Sequence, residues 1–174
     1  MIAPNVETFF DEQTNTASHV VSDPANGACA IIDSVLDFDA AAGRTSRAGV
    51  DRIIDHVRSQ NLRCEWILET HVHADHLSAA PLLKQELGGA IGIGAQIVAV
   101  QDVFGKIFNA EPAFRRDGSQ FDALFEDGAR FRIGEEMREF GFLVAGVERQ
   151  VHEAGAQRSE IDGQHAPVLV RLHR

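Results

Sequence analysis

The sequence predicts a layered α/β fold, and three observations carry that expectation. Val50, Ile53, Ile54 and Val57 recur at helical spacing, directly ahead of Cys64-Glu65-Trp66-Ile67-Leu68-Glu69-Thr70, which reads as a strand. An earlier strand, Cys29-Ala30-Ile31-Ile32-Asp33, makes this a strand–helix–strand unit, the crossover that joins parallel strands. The alternation then continues, with helical patterns at 79–87 and 95–108 on either side of a short apolar run, Ile91-Gly92-Ile93.

The elements follow in order. Ser18-His19-Val20-Val21-Ser22 reads as a strand and Asp23-Pro24-Ala25-Asn26-Gly27 as a turn, so residues 18–33 form a hairpin. Residues 33–47 are polar and rich in small side chains, which predicts a loop. In the first helix Asp51, Arg52, Asp55 and Arg58 take the polar face, and His56, beside the stripe, reads as a helix-surface residue. Gly88-Gly89 closes the second helix. The third carries Ile97, Val100, Val103, Phe104 and Ile107 on one side. Residues 109–120 form a polar loop, held down by Phe121, Leu124 and Phe125, and residues 128–134 a last strand between glycines. From Glu135 the character changes. Glu135-Glu136-Met137-Arg138-Glu139 is charged, apolar residues beyond it are sparse, and only Val168-Leu169-Val170 is compact, so 135–174 stays an unassigned tail behind a domain at 1–134.

Length and composition bound the function. The chain has 174 residues, 44% hydrophobic and 24% charged, as expected of one ordinary globular domain. Its net charge of −10 argues against nonspecific binding to nucleic acid or to an anionic membrane. Arg115 and Arg116 remain a local basic spot able to hold an anion. Cys29 and Cys64 fit neither a disulfide framework nor a Cys-x-x-Cys metal pattern and read as small buried side chains. The N-terminal residues lack the basic and apolar regions of a secretory signal, and no window approaches a membrane span, so a reduced cytoplasm is the expected setting.

The chemistry lies in Thr70-His71-Val72-His73-Ala74-Asp75-His76. Three histidines and one aspartate stand within six residues at the end of a strand. Imidazole and carboxylate suit zinc or iron without any thiolate. His71 and His73, two apart, can face one cation from an extended loop. Asp75 and His76 stand a turn further on and can face a neighbouring one. The spacing fits a two-metal site, or one metal surrounded by polar groups that orient it. Such a cation lowers the pKa of bound water and polarises a carbonyl, with Asp75 placed to accept a proton; an iron with open positions can instead bind dioxygen.

This run matches the His-x-His-x-Asp-His signature of the metallo-β-lactamase superfamily. Phe9-Phe10-Asp11, Ile31-Ile32-Asp33, the stretch 69–80, Ile91-Gly92-Ile93-Gly94, Phe104-Gly105-Lys106-Ile107-Phe108-Asn109 and Phe121-Asp122-Ala123-Leu124-Phe125 resemble its glyoxalase II-like branch, above all bacterial persulfide dioxygenases and related hydrolases. The resemblance covers roughly residues 5–134. It implies an αββα sandwich with metal between the sheets at one edge, incomplete here at its C-terminus. In the hydrolases, which cleave thioesters such as S-lactoylglutathione with two zinc or iron ions, His71 and His73 match ligands of one metal and Asp75 and His76 ligands of the other. In the dioxygenases, which oxidise glutathione persulfide at one iron, His71 matches a ligand, and His73, Asp75 and His76 match groups around it. The implied partner is a small glutathione-type thioester or persulfide.

The resemblance stops at Gly134. Relatives continue into Thr-Pro-Gly-His-Thr and a later Gly-Asp, and neither follows here; the later candidates are His152, His165, His173 and Asp162. His152 stands about where a third ligand is expected, but Gln150-Val151-His152-Glu153 does not match the motif. The abrupt change raises an alternative expectation: a truncated or frame-altered relative that binds metal weakly or not at all. A sandwich missing its second half leaves a sheet face and an edge uncovered, which favours a homodimer.

Overall fold

The computed structural model describes residues 3–134 and 136–139. Its centre is a six-stranded sheet in the order β1 (Asn5–Asp11), β2 (Thr16–Ser22), β3 (Ala28–Ile32), β7 (Arg63–Leu68), β9 (Ala90–Gly94), β10 (Ala123–Phe125). β1, β2 and β3 run antiparallel, while β3, β7, β9 and β10 are parallel. The expected hairpin is β2–β3, and the crossover between β3 and β7 contains α1 (Ala48–Ser59). Three short strands, β4 (Val35–Leu36), β5 (Phe38–Asp39) and β6 (Arg44–Thr45), stand in the span expected to be loop. Two-residue pairs leave no periodicity to read, which is why the sequence showed only polar, small residues there.

Both faces of the sheet are apolar, as parallel strands require. On one, Val50, Ile53, Ile54 and Val57 of α1 and Ala80 and Leu83 of α2 (Ala80–Leu87) bury against Val20, Cys29, Ile31 and Ile67. α2 ends at Gly88 and Gly89, both in the left-handed region. On the other face, Val21, Ala28, Ala30, Ile32 and Leu68 are covered by Phe131 and Ile133 of β11 (Arg130–Ile133). β11 pairs with β12 (Glu136–Glu139) and begins a second sheet. Helices, sheet and the start of a second sheet are three of the four layers expected. The remaining short strand, β8 (Leu77–Ser78), pairs with β4 and follows the His/Asp loop.

The stripe read on α3 (Ile97–Ile107) is buried only in part. Ile97 and Val100 are in the core, but Ile107 is 56% exposed and Gln101 is buried. Gln101 is satisfied there: its carbonyl accepts the Gly118 N–H at 3.0 Å, and its amide donates to Gln120 at 3.0 Å. Cys29 and Cys64 are buried free thiols, as read, but they stand opposite each other on paired strands, an adjacency their spacing hid. No helix among the described residues is long and apolar enough to cross a membrane.

Candidate metal centre

The site forms where β3 and β7 end side by side. In open parallel sheets the carboxyl ends of strands are where ligands are bound. Asp33 N–H donates to the Leu68 carbonyl at 2.9 Å, and Glu69 N–H to that of Gly92 at 3.0 Å, so the ends of β3 and β7 are tied to each other and to the middle of β9. Asp33 then leaves β3 with φ +51°, a left-handed conformation that aspartate tolerates better than most side chains. The turn aims its carboxylate at the His/Asp loop.

Asp33 organises that loop. Its Oδ1 accepts the Thr70 N–H at 2.7 Å, and its Oδ2 accepts the Thr70 hydroxyl at 2.7 Å. Having spent its single proton, the Thr70 oxygen can only accept from His71 Nδ1, 2.8 Å away. His71 is thus protonated at Nδ1 and keeps a lone pair at Nε2. His73 is fixed the other way: its Nε2 donates to Asp33 Oδ1 at 3.0 Å, with Glu69 Oε2 also at 3.0 Å, so Nδ1 is the atom left for a ligand. Glu69 is itself buried, and the Ser78 hydroxyl donates to its other oxygen.

The electrostatics follow from these contacts. Burial works against a charged His73, but the Asp33 and Glu69 carboxylates outweigh it and push its pKa up to about 9. Burial likewise opposes the charged form of Asp33, yet His73 and Thr70 hold it below the usual carboxylate value. His71 is pushed down, first by burial and then by its charged neighbour His73. For Asp75 burial again opposes the charge, and contacts from His76 and Thr16 overcome it, lowering its pKa.

Two overlapping groups of ligand atoms result, each within 4.8 Å: Asp33, His71 and His73; and His73, Asp75 and His76. All four sequence-predicted residues are therefore brought together, with His73 common to both groups. The ring centroids of His71 and His73 are 4.3 Å apart, those of His73 and His76 4.2 Å. His76 tests whether a cation fits. Its side chain is 0% exposed, and neither ring nitrogen has a hydrogen-bond partner among the described residues. Asp75 Oδ2 lies 3.2 Å from its Nδ1 but off the line of a hydrogen bond. A buried polar atom left without a partner costs roughly 1–3 kcal/mol. Burying two on one ring makes sense where a cation takes one of the lone pairs, and imidazole with carboxylate is a donor set that zinc and iron accept.

Asp33 and Glu69 were not singled out in the sequence as site residues, because nothing local shows a chain segment 37 residues away folding back onto Asp33. A buried-polar pattern at a strand end, Ile31-Ile32-Asp33, was the available signal. Arg115 and Arg116 are met locally: Arg115 pairs with Asp117 at 2.7 Å, and Arg116 donates to the Gly105 carbonyl at 3.1 Å with Asp102 3.6 Å away. His56 packs edge-on against Phe9 and takes no part in the site. His152, His165, His173 and Asp162 lie outside the described residues.

A sheet with helices on one face, a second sheet starting on the other, and a His-x-His-x-Asp-His loop at the strand ends define a metallohydrolase-like architecture. Residues 13–155 match the metallo-beta-lactamase superfamily, and the chain belongs to it. It is 56% identical over 129 residues to a probable metallo-hydrolase of Burkholderia pseudomallei, covering 74% of this chain and 44% of that protein. It is 46% identical over 132 residues to Glyoxylase B2 of Dictyostelium discoideum, with the same two coverages, 74% and 44%. The chain thus spans less than half the length of these relatives. Among solved structures it shares the fold of ETHE1 from Myxococcus xanthus, with a TM-score of 0.54 and 21% identity, over 80% of this chain and 47% of that one.

Proposed function

We propose that the loop 70–76 supplies one half of a zinc or iron centre in a metal-dependent hydrolase or persulfide dioxygenase acting on a glutathione-type thioester or persulfide, in the cytoplasm. The observation that carries the reading is His76, whose side chain is fully buried with neither ring nitrogen partnered among the described residues, beside His73 and Asp75. His71 through Nε2 and His73 through Nδ1 would hold the first ion, and Asp75 and His76 the second. The bound cation supplies Lewis acidity and water of lowered pKa. The chain's own groups do the rest. Thr70 keeps the lone pair of His71 on Nε2, and Asp33 holds His73 by Nε2, so Nδ1 of His73 is the nitrogen that would face the ion once its proton is released. Asp75, whose side chain is half-exposed, is the carboxylate open to solvent and substrate, and it is the group placed to accept a proton. Self-association through the sheet face only partly covered by β11 and β12 is proposed with it.

Metal analysis of the purified chain tests this. About one or two equivalents of zinc or iron are expected, falling sharply in His71→Ala. Oxygen consumption with glutathione persulfide, against hydrolysis of S-lactoylglutathione, separates the two chemistries. A second reading, an inactive relative with weak metal binding, draws on one observation: among the described residues every ligand-capable group of the site except Asp33 comes from a single loop. Substoichiometric metal, changed little by His71→Ala, together with neither activity, would favour it.

A further inference from the structure

We infer that Thr16, at the tip of the β1–β2 hairpin, is a positioning residue for Asp75, fixing its carboxylate against the candidate ligands His73 and His76. The inference rests on the metal-site reading above. Thr16 and Asp75 are 59 residues apart, yet the Thr16 hydroxyl donates to Asp75 Oδ2 at 2.9 Å. Oδ2 also lies 3.2 Å from His76 Nδ1, and the other oxygen, Oδ1, stands 3.9 Å from His73 Nδ1, so the hold sets the carboxylate between the two histidines with which it forms a candidate ligand group. Asp75 needs such a hold. Its side chain is about half exposed, unlike the buried His73 and His76, so packing does not choose its rotamer.

The hairpin is built to provide it. β2 starts at Thr16 and runs antiparallel to β3, which places Thr16 at the same sheet end as Asp33. Nearby, the Ser18 hydroxyl donates to the Asp33 carbonyl at 2.8 Å, locking that end of β2 to the site. The turn before Thr16 is anchored by Asp11 Oδ2, which accepts the Thr14 N–H at 2.8 Å and the Thr14 hydroxyl at 2.7 Å. Thr16 has one alternative acceptor, the Thr14 carbonyl at 3.4 Å, a much longer contact, so its proton goes to Asp75. A threonine in a strand has few χ1 choices, which makes its hydroxyl a fixed donor.

The test compares Thr16→Val, which keeps shape and removes the donor, with Thr16→Ser, which keeps the donor. Each full-length chain is stripped of metal and titrated with Zn²⁺ by calorimetry and with Co²⁺ by its ligand-field absorption. Circular dichroism confirms folding, and Asp75→Ala marks the effect of losing the ligand outright. Thr16→Val is expected to weaken Zn²⁺ binding about 10-fold or more, the usual range for groups that orient ligands, and to shift the Co²⁺ spectrum toward that of Asp75→Ala. Thr16→Ser is expected to restore both. Wild-type affinity and spectrum in Thr16→Val would overturn the proposal, as would a Thr16→Ser no better than Thr16→Val. If the wild-type chain binds neither ion, the metal-site reading itself falls and takes this one with it. If Asp75→Ala weakens binding and Thr16→Val does not, only the role of Thr16 falls.

Discussion

At the scale of the residue, the carboxylate of Asp33 decides which nitrogen each neighbouring histidine presents. Asp33→Asn keeps the size and replaces one acceptor oxygen by a donor. It can no longer accept both from the Thr70 hydroxyl, on one oxygen, and from His73, on the other, and it has lost the charge that His73 faces. Zn²⁺ affinity is expected to drop about 10- to 100-fold with the fold intact; a calorimetric titration at wild-type affinity would remove Asp33 from the site. The same contacts make the metal-free chain sensitive to pH. His73 has its pKa raised to about 9 from 6.5. Its stabilisation is whole below about 6.5 and is lost as the pH climbs through about 9. Asp33 is shifted down, so its share is whole above its ordinary value and is lost as the pH falls through its lower folded value. At about 1.4 kcal/mol per pK unit, the His73 contribution is on the order of 3 kcal/mol. Melts of the metal-stripped chain should therefore fall in Tm between about pH 6.5 and 9, and His73→Asn should flatten that slope. A profile as steep in the variant as in the wild type would assign the effect elsewhere. The histidines and Asp75 were legible because they crowd into one short run. Asp33, Glu69 and Thr16 were not, since their roles come from chain segments brought together only by the parallel pairing of β3 with β7 and the hairpin that returns to the same sheet end.

At the scale of the element, α2 joins the His/Asp loop to the core. It begins immediately after β8, and its Leu83 is fully buried against the sheet face that α1 also covers. Leu83→Ala is expected to destabilise the chain by about 2–5 kcal/mol, because the void between α2 and β7 cannot close fully. Denaturant unfolding reads this. A loss under about 1 kcal/mol would mean that α2 repacks freely. This helix and α1 were readable in advance, because a buried stripe against one sheet imposes a 3.6-residue period. β1 was not. Its residues are mostly exposed, Val6 and Phe10 among them, since it is the edge strand and one pairing partner plus little burial leaves a weak pattern. α3 was half readable: its apolar residues outnumber the places the core offers, so Ile107 and Phe108 face solvent while Gln101 is buried through two hydrogen bonds.

At the scale of the molecule, the two faces of the sheet are unequally covered. The helical face is closed by α1 and α2, whereas among the described residues the other apolar face is closed by β11 alone, with β12 paired beyond it. An aromatic cluster concentrates that contact. Trp66 meets Phe131 with centroids 5.5 Å apart and Phe125 at 5.4 Å, Phe125 meets Phe131 at 5.2 Å, and the Trp66 indole N–H donates to the Arg132 carbonyl at 2.8 Å. The same Phe125 ring occupies the space a side chain at Gly92 would need, so β9 and β10 close up only because position 92 has no Cβ. Among the described residues β11 is therefore held largely through this aromatic cluster, with the Gly134 N–H donating to Glu65 Oε2 at 2.7 Å just beyond it. Phe131→Ala is expected to cost about 3–5 kcal/mol. It should also release β11 from the sheet and bare the apolar patch around Val21, Ala30, Ile32 and Leu68. Unfolding measurements give the first quantity. Sedimentation velocity and binding of a hydrophobic dye give the second, with self-association rising above that of the wild-type chain. A variant that loses this stability yet stays as monomeric and as free of dye as wild type would show that the face is covered by more than β11, and that the second sheet holds its place without this ring.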